Sequence, residues 1–237
     1  MTNEQIQALS RQLESASPDE ILRRAHELFG RKLAIVTSFQ ITGIVTLDMM
    51  QRIAPQTPVL TLDTDLLFPE TLDIMTQLDE RFGLDLRRIK ARQTLAQQAR
   101  DYGDRLWERN PDRCCHIRKT IPLRGALSGF AAWVAGLRRD QSASRANTPI
   151  VSRDRRSGLV KFAPFANWTE AQVWEAIHAR GLPYNKLHDQ GYLSIGCWTC
   201  TQAVAGADAS RAGRWARHSK TECGIHLPAP AAAALHG

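Results

Sequence analysis

The five cysteines of this chain are the residues whose type and spacing can do chemistry. Cys114 and Cys115 are adjacent, and Cys197 and Cys200 form a C-x-x-C pair, so four thiols stand in two local clusters that a fold can bring together. Four thiolates suit either a [4Fe–4S] cluster or a structural zinc ion. Zinc sites usually draw each local pair from cysteines two to four apart. Directly adjacent cysteines, about 3.8 Å apart at Cα, reach more naturally to different corners of a larger cluster. The pattern therefore favours iron and sulfur, with zinc or plain buried thiols as the alternatives.

Cys223 stands outside this foursome, in KTECGIHL, with Lys220 before it and His226 after it. Cations near a thiol favour the thiolate, the form that attacks an electrophile. Arg211, Arg214, Arg217 and His218 make the same segment an electropositive arm, and Gly224 suits a mobile loop. A spare thiol on a tail is the plain alternative.

A second concentration of chemistry is GLRRDQSASR, where Arg138, Arg139 and Arg145 stand with Gln141, Ser142 and Ser144. Guanidinium forks and hydroxyls there can bind phosphate or sulfate oxygens, although a charge run alone is commonly a solvated face. TSFQITG can present Ser38 and backbone N–H groups to an anion at a helix N-terminus. It has neither the Walker nor the Rossmann glycine pattern.

These residues need elements to position them. LAIVTSF (33–39), PVLTLDT (58–64), LDLRRIKA (84–91), AAWVAGL (131–137) and LVKFAPF (159–165) read as strands, and helical spacing separates most of them. Pro69 suits a first helical turn and Gly83 the end of that helix, while CCHIRKTIPLRGALSGF reads as a helix interrupted at Pro122. Asn167 or Thr169 can cap the helix that follows the last strand. GLRRDQSASRANTP is too basic and polar for core. Alternation of β and α elements predicts an α/β fold with a mostly parallel, doubly wound sheet, whose ligands bind beyond the carboxyl ends of the strands. Residues 1–30 read as a helical segment of two amphipathic helices on the domain's edge, 31–205 as the α/β domain, and 206–237 as a mobile arm whose PAPAAAALHG end is disordered.

With 237 residues and 43% hydrophobic content, the chain can bury one sizeable core. A formal charge of +7 points to an anionic partner. No apolar stretch approaches the roughly 20 residues of a membrane span, and the polar beginning is no signal peptide, so the cytoplasm is the expected location. Cysteines in such a compartment serve metals or redox chemistry rather than disulfides.

From about Ser38 to Leu227 the motifs LDTDLLFPET, CCHIRKTIPL, GLRRDQSASR, GCWTC and KTECGIHL resemble the adenylyl-sulfate and phosphoadenylyl-sulfate reductases, whose fold is adenine nucleotide alpha hydrolase-like. The double cysteine with C-x-x-C resembles the branch that carries a [4Fe–4S] cluster and generally uses adenylyl sulfate. The resemblance implies that Cys223 attacks the sulfate sulfur, displaces AMP and carries an S-sulfocysteine that thioredoxin or a similar dithiol reduces to sulfite. It places Lys119 between cluster and substrate. It assigns Arg138, Arg139, Gln141, Ser142 and Arg145 to the substrate loop, Ser38 and Thr64 to nucleotide contacts, and Arg211, Arg214 and His226 to a closing arm. A homo-oligomer without nucleic-acid or membrane partners is expected.

Two departures stand out. SFQITG lacks the acidic pair expected after the first strand's serine, and Asp65 stands where glycine commonly follows LDT. A carboxylate near a polyanion is unfavourable unless Asp65 turns away or pairs with a cation. The nearest rival reading is a phosphoadenylyl-sulfate reductase. A different class is a zinc-stabilised nucleotide- or nucleic-acid-binding protein, and an adenylating enzyme would need a pyrophosphate loop that SFQITG does not supply.

Overall fold

The short apolar runs form the centre of a six-stranded sheet. In a computed structural model of the chain, residues 1–206, 211–216 and 218–226 are described. Arg217 and the tail expected to be disordered lie outside them.

The strands are β1 (Leu33–Val36), β2 (Val59–Asp63), β3 (Leu86–Lys90), β4 (Ala132–Ala135), β5 (Val151–Arg153) and β6 (Val160–Phe162). Their order is β3-β2-β1-β4-β6-β5, with every neighbouring pair parallel except β5 with β6. The mostly parallel, doubly wound sheet is as expected, and a parallel strand buried on both faces explains why β1 and β4 read as continuous apolar runs. β5 is not among the five strands that the sequence predicts. At three residues it is too short to show a period, and its backbone instead finds partners in β6 and in Ser10, whose hydroxyl accepts the Val151 N–H at 3.1 Å.

The helices named here are α1 (Asn3–Gln12), α2 (Pro18–Phe29), α3 (Ile41–Ile53), α4 (Pro69–Phe82), α5 (Leu95–Tyr102), α6 (Leu106–Arg109), α7 (Pro111–Cys115), α8 (Ile121–Leu127) and α9 (Glu170–Ala179). Thr2, Ser17 and Thr169 each close a capping box, so Thr169 rather than Asn167 starts α9. Asn167 instead donates to the Glu14 carbonyl at 2.6 Å. Pro69 and Gly83 bound α4 as their backbone preferences require, with Gly83 in the left-handed region at φ +58°. Ile6, Leu9, Ile21, Leu22 and Ala25 share one apolar cluster with the sheet, so the first two helices cover core rather than merely flank it.

The helix carrying the double cysteine departs from its expected form. Pro122 does not interrupt it. A π turn, His116–Thr120, joins α7 to α8, with the Ile121 N–H donating five residues back to His116. Pro122 follows directly at the start of α8, where its missing N–H leaves one carbonyl of the π turn without a helical donor.

Candidate active site

β1 turns to β2 on one side and finds β4 on the other, and in open α/β sheets ligands bind at such a switch point. A cleft of about 1230 Å³, including its open mouth, lies there. Ser38, Thr64, Lys119, Arg138, Gln141, Arg145, Arg211, Arg214, Cys223 and His226 all line it, together with Cys197. Residues from four distant parts of the chain thus meet in one place. Arg139 and Ser142 are not in that lining. Arg139 is taken by Glu14 at 2.6 Å and by the Thr148 carbonyl at 2.9 Å, which ties the loop to the N-terminal segment, and Ser142 lies 3.0 Å from the Ser144 hydroxyl.

GLRRDQSASR is not the solvated surface its polarity suggested. Arg138 is 1% exposed, with Nε donating to Asp140 at 2.8 Å, Nη1 to Thr42 at 2.9 Å and Nη2 to Glu170 at 2.9 Å. Those two carboxylates balance the guanidinium in a chain whose SFQITG turn carries no acidic residue. Gln40 answers for the rest of SFQITG. Its amide donates to the Ile195 carbonyl at 2.6 Å and accepts the Ile195 N–H at 3.1 Å, fastening the end of β1 to the segment leading into Cys197.

Asp65 does pair with cations. It sits at φ +55°, in the region where glycine is favoured, and its carboxylate meets Lys90 at 2.7 Å and the guanidinium of Arg118. Arg118, buried at 1% exposure, also donates from Nε to the Thr64 carbonyl at 2.6 Å and from Nη1 to Gln98 at 3.3 Å. Gln98 in turn lies 3.9 Å from the Cys114 sulfur. Arg118 was not among the expected site residues; its neighbour in RK drew the attention, and only the π turn decides which of the two faces inward.

The four candidate ligand thiols come into each other's electrostatic range. Burial pushes the Cys114 thiol up to about 12, and the charges of Cys115, Cys197 and Cys200 add to it. Burial likewise holds Cys115 at about 11. Burial would raise Cys197 too, but Lys119, the Thr64 hydroxyl at 3.3 Å and Arg214 outweigh it and bring the thiol below its ordinary value. Thiolates that repel one another need a positive centre to hold them together, which either an iron–sulfur cluster or a zinc ion would supply. Among the described residues, no three His, Cys, Asp or Glu side chains are arranged around a single metal ion.

Lys119 lies within electrostatic range of both this set and the candidate nucleophile. Burial alone would lower its pKa, but the Cys197, Cys115 and Cys223 sulfurs, as thiolates, hold the ammonium above the ordinary lysine value. Two loop contacts seat the C-terminal cysteine pair: the Trp198 N–H donates to the Leu66 carbonyl at 2.9 Å and the Trp215 N–H to the Cys200 carbonyl at 3.0 Å.

The arm is docked against the cleft. Trp215, 2% exposed, has Arg214, Lys220 and Arg211 over its ring at 4.5, 5.4 and 5.6 Å, so one aromatic ring gathers three cations. This tryptophan escaped the sequence reading, although its place among arginines was a usable signal. Nε of Arg211 and of Arg214 is buried without a hydrogen-bond partner, which leaves donors for an anion. Burial lowers Arg211 to about 10, assisted by Arg145. His226 stacks on Trp133 at 5.8 Å, and burial, with Arg145, Lys161 and Arg211 nearby, keeps the imidazole neutral, well below its usual value. Burial would raise the Glu222 carboxyl, but the hydrogen bond and charge of Arg145, with Arg211, hold it below the carboxylate range.

Comparison with known proteins decides the kinship. The family model of the phosphoadenosine phosphosulfate reductase domain matches residues 32–203. The chain belongs to that family. The adenosine 5'-phosphosulfate reductase of Salinibacter ruber is 47% identical over 93% of this chain and 88% of its own length. A protein of Gloeobacter violaceus named phosphoadenosine 5'-phosphosulfate reductase is 45% identical over 93% of each chain. The crystal structure of phosphoadenylyl-sulfate reductase from Candida auris, in a phosphate complex, superposes with a TM-score of 0.75 at 32% identity, covering 86% of this chain and 98% of that one. The matched reductase domain starts at the residue before β1 and ends just beyond Cys200, so the arm carrying Cys223 follows it.

Proposed function

We propose that this member of the reductase family reduces adenosine 5'-phosphosulfate to sulfite and AMP. The observation that carries the reading is the meeting of Cys223, Lys119, Arg145, Arg211 and Arg214 in one cleft at the β1–β4 switch point. Arg118, Arg138 and Arg214 are buried rather than displayed as a face for nucleic acid.

Arg145, Arg211 and Arg214 hold the phosphosulfate, with the free Nε donors of the last two available to its oxygens. The Cys223 thiolate attacks the sulfate sulfur. A bond forms between the two sulfurs, the sulfur–oxygen bond to the phosphate breaks, and AMP leaves with the electron pair. Lys119, a cation at that junction, offsets the developing negative charge. A dithiol protein of the thioredoxin class then attacks the Cys223 sulfur, releasing sulfite as the leaving group, and its second thiol resolves the mixed disulfide. The dithiol supplies both electrons, which places the reaction in a reducing compartment such as the cytoplasm.

Cys114, Cys115, Cys197 and Cys200 would hold the [4Fe–4S] cluster. When bound, it would fix the four thiolates and set the electrostatic field felt by Lys119. This donor set and the relatives named adenosine 5'-phosphosulfate reductase support the unphosphorylated nucleotide as substrate. The Gloeobacter relative supports the 3'-phosphorylated alternative.

The test is single-turnover labelling. Incubation with ³⁵S-labelled adenosine 5'-phosphosulfate without dithiol should label a peptide containing Cys223 and release up to one AMP per site, and reduced thioredoxin should discharge the label as sulfite. Cys223→Ser should bind nucleotide and take no label. Label on another cysteine would overturn the assignment of the nucleophile.

A further inference from the structure

Glu222 immediately precedes the candidate nucleophile, and the reaction as written gives its carboxylate nothing to do. It is nonetheless 4% exposed and fully engaged. One oxygen accepts from Arg145 Nε at 2.8 Å and from the Ser144 hydroxyl at 3.2 Å; the other accepts from Arg145 Nη2 at 2.8 Å and from Arg211 Nη2 at 3.4 Å. Two parallel bonds from one guanidinium are the most directional contact a carboxylate makes. The far side of Arg145 is held in turn by Gln141. Arg211 closes the loop by donating to the Thr221 carbonyl at 3.2 Å.

The segment around Glu222 is a partition. On one side Cys223, Ile225 and His226 line the nucleotide cleft. On the other, residues 218–222 form one wall of a separate groove whose opposite wall is Arg109–Asp112. Lys220, on the groove side, pairs with Asp112, a residue that is itself well exposed. The bidentate Glu222 pair on the cleft side is buried at both partners, whereas on the groove side Lys220 is enclosed but the Asp112 carboxylate is 79% exposed, so water competes for that carboxylate.

We propose that Glu222 is a positioning residue whose clasp on Arg145 and Arg211 keeps the arm shut with Cys223 facing the cleft, and whose release turns the modified thiol out to the dithiol. The closed arm serves sulfur transfer, which needs the thiolate at the phosphosulfate and water excluded. The second half-reaction needs the opposite, since Cys223 is partly buried in the cleft wall and an in-line attack by a protein thiol needs its sulfur turned outward. The identity of the anion and of the dithiol rests on the function proposed above. The clasp does not.

The experiment compares holoenzyme and Glu222→Gln, with Glu222→Asp as the conservative variant. Glutamine keeps the shape and loses the charge. Alkylation of Cys223 by iodoacetamide, read by mass spectrometry, should be about tenfold faster in Glu222→Gln. Formation of labelled S-sulfocysteine should slow by about tenfold, while its discharge by reduced thioredoxin becomes faster. AMP affinity should stay within about twofold, and Glu222→Asp should fall between the two proteins in every rate. A first half-reaction slowed while the second is quickened is not what a damaged fold produces. Alkylation at the wild-type rate would overturn the clasp, and so would AMP affinity falling in step with the transfer rate. If the wild-type protein took no label at all, the proposed reaction would fail, and alkylation alone would still decide the clasp.

Discussion

The carboxylate of Asp65 meets the guanidinium of Arg118, and this pair lies one residue from Thr64, whose hydroxyl is 3.3 Å from the Cys197 sulfur. The unusual residue after LDT is therefore wired to the cysteine site from two directions. Thr64 reaches Cys197 directly, and Arg118 reaches Cys114 through Gln98.

Asp65→Gly puts two opposing terms against each other. The left-handed φ of +55° costs a non-glycine residue about 1 kcal/mol, which glycine recovers. Loss of the carboxylate leaves Arg118 buried with fewer partners, a defect worth up to about 3–5 kcal/mol for a wholly buried pair, moderated here because Asp65 is 29% exposed and Arg118 keeps Thr64 and Gln98. The net expectation is destabilisation by about 1–2 kcal/mol, measured as a lower urea midpoint at an unchanged m-value. A more stable variant would mean that the backbone strain outweighs the ion pair.

Gly196→Ala tests the cleft from another side. A Cβ there would lie 2.2 Å from Arg214 Nη2. A guanidinium at the end of a flexible side chain can move, so the fold should survive with a loss under about 1 kcal/mol. Its anion contact should not survive equally well. Titration with AMP and with adenosine 5'-phosphosulfate should show the larger loss, about tenfold, for the ligand carrying the additional anionic group.

Acid should loosen the arm through His226. Docked, the imidazole is neutral with its pKa far below the ordinary 6.5; released, it takes a proton near 6.5. The released state then binds more protons, so docking is fully favoured above about pH 6.5 and is progressively lost as pH falls below it. Glu222 acts in the same direction but only at pH values below the ordinary 4.5 of its carboxyl. Hydrogen exchange of residues 218–226, corrected for intrinsic rates, should show less protection at pH 5.5 than at pH 7.5. His226→Phe, which preserves stacking on Trp133, should remove most of that difference.

Replacement of Cys114, Cys115, Cys197 or Cys200 by Ser should each lose bound iron and most activity, because a four-ligand cluster cannot spare a thiolate. The anaerobically purified wild-type chain should show a broad absorption near 400 nm with about four irons. One equivalent of zinc without iron would reverse the assignment.

The sequence alone determined where five strands lie along the chain, the two cysteine clusters, the isolated Cys223 and the arginine loop, because these signals are local: an apolar run, a spacing, a composition. The capping residues and Gly83 belong with them, since they act within one turn of chain. Tertiary structure alone decided which polar residues are buried. Arg138 and Arg118 look like surface charge in sequence, yet both are enclosed, because their partners Glu170, Thr42, Asp65 and Gln98 come from other elements, with Asp140 alone supplied by the Arg138 loop itself. Arg139, adjacent to Arg138, faces Glu14 instead of the cleft for the same reason: neighbours on an irregular loop point in different directions, and no period foretells which. The π turn after the double cysteine is a further case. An extra residue in one helical turn leaves no mark on composition, but it sets Arg118 toward the end of β2 and Lys119 toward the cleft, and with them the electrostatics of the whole site.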